Sequence, residues 1–434
     1  MRRISLSLIA ILLAAPVSSE TLEQAVATTL ATNPNIKSIF NEYQSYVKQN
    51  EAAKGDYKPT LDLDAGVGYE RVDPATEGNP TTNLTRKDAT LTLTQLIWDG
   101  SATLNNIDRT AAEAESIRYQ LLADAQDKAL EVSKIYLDAI KAYELLALSE
   151  SNLKVHKRIY KDIERRTQSG LGSTADLTQV EARIAKAHGN LLAAQNEIAD
   201  THTQYLRLVG KNPAGLIYPR ADITKIPLTL NEALSIAETN HPVLKVSQAD
   251  VDAAGFQYEQ SKGVNYPTLS IEAQHAWKDD ADGTEGTAQE TSAMLRLRYN
   301  LYNGGSDEAQ IERAAYQSNK AKDLRENTER NIEEGLRLAW SALDLTLQQK
   351  EFLADHVDSA SNTVIAYEKQ YRIGKRTLLD LLNTENELYE ARKDYLEAHY
   401  AEQYAKYRVM NATGTLLDAL LVDIPEEWLE PVKY

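Results

Sequence analysis

Cysteine is absent from this 434-residue chain, which excludes disulfides, thiol-held metals and a lipid-modified N-terminal cysteine. Phenylalanine is nearly as scarce, with 3 residues against 23 tyrosines and 4 tryptophans, an aromatic set suited to amphipathic, wet-edged positions. Positive charge is in short supply: the formal net charge of −17 argues against nucleic-acid binding, which needs clustered basic residues. The 7 histidines are scattered with no close pair at metal spacing, and there is no P-loop or nucleophile elbow. No catalytic residue, metal or cofactor is therefore expected. Past the first 20 residues no uncharged run is long enough for a transmembrane helix, so any membrane contact of the mature chain must be made by strands.

What is present begins with Met1-Arg2-Arg3, an apolar run over 4–15, and Pro16-Val17-Ser18-Ser19. This is a basic, apolar and small-residue succession, read as a signal peptide over 1–19 cleaved after Ser19.

The remainder is written twice. TLEQA at 21–25 recurs as TLNEA at 229–233, Asn33-Pro34 as His241-Pro242, and Pro59-Thr60-Leu61 as Pro267-Thr268-Leu269. Further on, Ile107-Asp108-Arg109 matches Ile311-Glu312-Arg313, Gly170 matches Gly374, Asp176-Leu177 matches Asp380-Leu381, and Gly210 matches Gly414. The offset shortens once, between 70 and 90, so a loop there carries the length change. Repeat 1 spans 20–210 and repeat 2 spans 229–414, joined by a proline-bearing linker over 211–228 and followed by a segment over 415–434.

Each copy predicts a helix opened by a capping box (Thr21 with Gln24, Thr229 with Glu232) that runs about 35 residues to Pro59 or Pro267. A β-hairpin follows, over 59–98 or 267–302. Next come a long helix, roughly 101–167 or 306–371, a tip over 168–174 or 372–377, and a return helix. The long helices would measure on the order of 100 Å, about twice the others, which suggests a tall cylinder of antiparallel helices. Leu122, Ala125, Ala129, Val132, Tyr136, Ala139, Tyr143 and Leu146 form a coiled-coil seam at alternating steps of three and four.

The strand segments alternate. Leu61, Leu63, Ala65, Val67 and Tyr69 face one way and Asp62, Asp64, Gly66 and Gly68 the other; Leu269, Ile271 and Ala273 oppose Ser270, Glu272 and Gln274. Segments 90–98 and 294–302 do the same. Strands of about ten residues, apolar outward and polar inward, fit a transmembrane barrel. Aromatics at the strand ends, Tyr69, Trp98, Trp277, Tyr299 and Tyr302, fit interface girdles. The acidic stretch 278–290 reads as a solvated outer loop, with divalent-cation binding as the alternative. Four strands cannot close a barrel, and each open edge would leave N–H and C=O groups in lipid at several kcal/mol apiece. Two copies would give a side-chain-filled interior; three would give twelve strands and room for water.

The segment YRIGKRTLLDLL at 371–382, its partner SGLGSTADL at 169–177, the opening TLEQAV, and the turns Trp98-Asp99-Gly100 and Tyr302-Asn303-Gly304 resemble the TolC family of outer-membrane efflux proteins over nearly the whole mature chain. The resemblance implies a homotrimer with a twelve-stranded barrel and a twelve-helix periplasmic tunnel. It implies a latch of Tyr371, Arg376 and Asp176 that holds the tunnel closed, and a ring of Asp380 at the entrance. A second acidic ring is expected one turn on, where this chain has Asn383. Three Asp380 carboxylates in a narrow neck would attract cations and raise one another's pKa. The tips, Gly170, Leu171, Gly172 and Thr174 with Gly374, Lys375, Arg376 and Thr377, would dock a periplasmic adaptor. Their glycines also serve as helix punctuation, and Thr174 or Thr377 is expected to cap the next helix.

The chain is thus expected in outer-membrane lipid, with a periplasmic adaptor (membrane fusion) protein and an inner-membrane ABC exporter or other pump as partners. The leading expectation is the exit duct of type I secretion, with protein cargo such as a large adhesin. Drug or metal efflux is the alternative, and a coiled-coil surface adhesin a reading of another class.

Overall fold

The computed structural model describes residues 19–73 and 81–432; the expected signal peptide lies, but for Ser19, outside the described residues. The chain folds as two compact units, one drawn from the chain up to residue 37 with 124–241 and 332–424, the other from 38–123, 242–331 and the residues from 425 onward.

The two repeats build the same elements. In the first, α1 (Leu22–Thr32) opens with the Thr21–Gln24 capping box. The helix then breaks. Asn33 is extended, φ −64° and ψ 127°, as the residue before a proline prefers, and α2 (Pro34–Gly55) starts with Pro34 where a missing N–H costs nothing. The single 35-residue helix read from the sequence is therefore two, because the Asn33-Pro34 step overrides the continuing helical pattern. There follow β1 (Thr60–Val72), β2 (Thr82–Trp98), α3 (Ala102–Gln168) and α4 (Thr174–Val209). In the second repeat α5 (Leu230–Asn240) and α6 (Pro242–Ser261) break likewise at His241, followed by β3 (Thr268–Ala281), β4 (Thr284–Arg298), α7 (Ser306–Arg372) and α8 (Leu378–Ala412).

In the first unit the seam of α3 is buried at Ala125, Ala129, Val132, Tyr136 and Ala139, all 0% exposed. It then departs from the expected positions: Ala142 is buried in place of Tyr143, which is exposed. A straight helix of 3.6 residues per turn drifts off a 3.5 repeat, and Tyr143 turns outward to bond His202 Nε2 at 2.8 Å. The linker is tied down by Tyr136, whose buried hydroxyl lies 2.7 Å from the carbonyls of Glu20 and Ile217 and accepts the Ile217 N–H at 3.0 Å. Burial pushes the Tyr136 phenol up to about 12.

In the second unit one antiparallel sheet, in the order β1-β2-β3-β4, joins the hairpins of both repeats. Thr60 lies opposite Thr94, Thr94 opposite Glu272, and Glu272 opposite Met294. That register puts Leu61, Leu93 and Ala273 on one face and Asp62, Thr92, Gln274 and Ser292 on the other. The strands outrun the alternating segments. β3 and β4 continue to a two-residue turn at Asp282-Gly283, both at positive φ, a type I′ pair that matches the twist of the hairpin. The stretch 278–290 is thus paired strand for most of its length rather than a loop. At the other end β4 stops at Arg298, so Tyr299 and Tyr302 follow the strand instead of ending it. The closing segment is anchored in the same unit, with Trp428 buried and its carbonyl accepting from Arg118 Nη1 at 3.2 Å.

Candidate functional site

The sheet is one candidate site. Its apolar face is bare: Leu61, Leu63, Val67, Leu295 and Leu297 are between 65% and 76% exposed. A contiguous apolar face of that kind needs either a partner or lipid. Tyr69 stands at its outer end with its hydroxyl on Asn83 Oδ1 at 2.6 Å, and Trp277 lies opposite Ala89 and Gln289. At the helix end Trp98 meets Tyr266 edge-on, centroids 5.6 Å apart, and Tyr299 and Tyr302 are exposed just past the end of β4. One member of the apolar face escaped the sequence reading: His275, whose Nδ1 is paired with Thr291 Oγ1 at 2.8 Å. The two polar groups satisfy each other across the strands, so alternation beyond Gln274 was masked by two residues that are polar only singly.

The opposite face is charged. Arg86 bonds Glu70, Asp88 and Asp282, and Lys278 also reaches Asp282. Each of these carboxylates has a cation partner, and among the described residues no group of His, Asp or Glu is placed to hold a metal. Gly66 sits against Asp88, whose carboxylate a Cβ there would touch at 3.4 Å, as expected of small residues on a crowded polar face.

The tips are the second candidate site. α3 and α7 each end in a Schellman motif: Gly170 N–H donates to Thr167 O and Leu171 N–H to Arg166 O; Gly374 N–H donates to Tyr371 O and Lys375 N–H to Gln370 O. Gly170 and Gly374 hold φ of +75° and +74°. Gly172 is needed for a different reason, since a Cβ there would lie 2.8 Å from Thr167 N. Leu171 is 84% exposed. Thr377 caps α8 in a capping box with Asp380. Thr174, however, is already helical; Ser173, extended at φ −91° and ψ 142°, caps α4 by accepting from Ala175 N–H at 3.1 Å.

Behind the tips Ile159, Ile163, Val180, Leu378 and Leu382 form a core, and Tyr371 packs against it. Burial raises the Tyr371 hydroxyl, with Arg166 opposing the shift; the Arg166 guanidinium lies 5.3 Å from the ring centre. Asp176 adds to the field that raises the Tyr371 hydroxyl. Arg376 does not join them within the protomer. Its Nε donates to Gln370 Oε1 at 3.1 Å and its guanidinium covers Tyr367 at 4.2 Å. Asn383 accepts from Arg183 at 2.8 Å. Asp380 is held below the usual carboxylate range by the Thr377 hydroxyl and N–H. A cavity of about 410 Å³ opens beside Tyr371, lined by Arg158, Arg166, Arg372, Glu368 and Glu385. Arg166 and Glu385 were missed because neither falls in a motif; only the helix pairing brings them in.

An open-edged sheet with one bare apolar and one charged face, joined to long helical hairpins, defines the class of β-walled membrane channel proteins with a helical extension. The family model described as outer membrane efflux protein matches residues 25–211 and 233–415, one stretch in each repeat. Outer membrane efflux protein BepC of Brucella suis is 25% identical over 96% of this chain and 91% of its own length. Outer membrane protein TolC of Escherichia coli is 24% identical over 96% and 86%. Alkaline protease secretion protein AprF of Pseudomonas aeruginosa is 24% identical over 89% and 77%. A solved structure of CusC shares the fold with a TM-score of 0.81 at 16% identity, covering 91% of this chain and 92% of the other. The chain belongs to the outer membrane efflux protein family. It is an outer-membrane protein, and its family and fold are those of channels rather than enzymes.

Proposed function

We propose that the chain is the outer-membrane exit duct of a type I secretion system, working as a homotrimer that carries protein cargo from an ABC exporter and adaptor to the exterior. The observation that supports a duct is the four-stranded sheet whose outer strands, β1 and β4, each have one partner among the described residues while its apolar face is bare. In lipid such a sheet is sealed only by further copies. The name of the relative AprF, a protease secretion protein, favours secretion. Drug or metal efflux is the second reading, favoured by the names of BepC and CusC. In the same reading Tyr371, Arg376 and Asp176, now with Arg166, restrain the entrance, Asp380 lines it, and the exposed tips meet the adaptor.

Deletion of the gene in its own host separates the readings. Secretion predicts loss of one or a few large proteins from the culture medium, restored by the cloned gene, with unchanged drug and metal tolerance. An intact set of secreted proteins with lowered tolerance would decide for efflux.

A further inference from the structure

The two free strands of the sheet carry opposite charge on the same face. On β1, Asp62 and Asp64 point to the polar side with Thr92 and Thr90 as neighbours; on β4, Arg296 and Arg298 occupy that side. All four are exposed, and among the described residues Asp62, Asp64 and Arg298 have no ion pair, while Arg296 bonds Glu272 at 2.6 Å. The sheet also slants. Thr60 at the start of β1 lies level with Thr94, Glu272 and Met294, yet β2 continues to Trp98 and β4 to Arg298. From β1 to β4 the helix-side border thus steps down by the four residues that separate Met294 from Arg298.

Closing a sheet into a barrel requires such a stagger, and it must be even if polar faces are to meet polar faces. When β1 of one copy pairs with β4 of the next and the borders are level, a stagger of about four residues sets Asp62 against Arg296. One of about six sets Asp62 against Arg298 and Asp64 against Arg296; one of about eight sets Asp64 against Arg298. Each choice places a carboxylate directly across from a guanidinium, within the roughly 5 Å of a cross-strand pair. We infer that Asp62 and Asp64 of one copy form an ion ladder with Arg296 and Arg298 of a second copy of this chain, on the lumen face of the seam, and that this ladder holds neighbouring copies together. Arg296 would be shared between Glu272 of its own chain and the neighbouring aspartate. The inference rests on the trimeric reading above and adds to it the residues that lock neighbours together.

The test uses the full chain purified in detergent. The double variant Asp62→Arg with Asp64→Arg should lower the trimer-to-monomer ratio after mild heating by about tenfold or more, as each lost pair at the three seams becomes a repulsion. Adding Arg296→Asp and Arg298→Asp should restore much of it. Because the chain has no cysteine, Asp64→Cys combined with Arg296→Cys or with Arg298→Cys gives a background-free oxidative cross-link between copies. Asp62→Cys with Arg296→Cys tests the shortest stagger. A cross-link in any of the three pairs together with the charge rescue supports the ladder. A normal trimer with no cross-link, or with a ratio indifferent to charge reversal, overturns the ladder alone. A wild-type chain that is not trimeric overturns the assembly reading and the ladder with it.

Discussion

Asp380 serves its own helix before it can serve a pore. Its carboxylate accepts the Thr377 N–H at 3.2 Å and the Thr377 hydroxyl at 2.9 Å, and these bonds favour the ionised form. The folded pKa is depressed, so the stabilisation from this cap is present above the unfolded value and lost as pH falls through the folded one. The protection factor of the Thr377 amide against hydrogen exchange should therefore fall on acidification below the ordinary aspartate range, and this acid step should vanish in Asp380→Asn. Thr377→Ala should cost the tip about 1 kcal/mol, read from the same exchange. Glu385 behaves oppositely. Burial raises its pKa, with Glu368 adding to the shift and Arg158 and Arg392 opposing it, so its contribution is full below the unfolded value and is lost as pH rises through the folded one. Glu385→Gln should stabilise the tip region at neutral pH and make it indifferent to pH across that range, as followed by local proteolysis.

At the level of elements, the tip is a turn whose geometry is set by backbone. Nothing lies within 4 Å of a Cβ built on Gly374, so a substitution there strains the φ of +74° without a clash. Gly374→Val should cost about 1–2 kcal/mol locally and abolish export while the assembled protein remains, whereas Gly374→Asn, tolerant of the left-handed region, should retain most activity. Secretion assays and native gels read the two effects separately; full export by Gly374→Val would remove the tip's docking role. The linker makes a similar case for Tyr136. Tyr136→Phe removes one of the two acceptors of the Ile217 N–H, leaving it on the Glu20 carbonyl at 3.2 Å, and should cost about 0.5–1.5 kcal/mol, visible as faster exchange at the Ile217 amide.

For the assembled molecule the entrance is the element expected to move. Tyr371 packs on the core and lies beside Arg166, whereas among the described residues Arg376 engages Gln370 and Tyr367 and lies in the field of Asp380, all on its own hairpin. Tyr371→Phe and Arg376→Ser should raise single-channel conductance in a planar bilayer, and Arg166→Ser should act in the same direction. Unchanged conductance in all three would place the restraint elsewhere. Asp380→Ala should weaken block by multivalent cations, and an unaltered block would move the ring to other residues.

Much of this was written in the chain itself. The repeat, the long helices, the hairpins and the tip glycines follow from local rules: proline stops a helix, glycine takes positive φ, and alternation of two assigns faces. Where a short-range signal was misjudged, a stronger local one stood beside it: Pro34 split the opening helix, Asp282-Gly283 made a tight turn where a long outer loop was expected over 278–290, and Ser173 outcompeted Thr174 for the cap. Packing alone supplied the rest. That Arg166 covers Tyr371, that Tyr136 holds the linker, and that β2 pairs with β3 to leave β1 and β4 as the free edges are contacts between residues far apart in sequence. No periodicity encodes such contacts, because they depend on which surfaces meet once the helices and strands have formed.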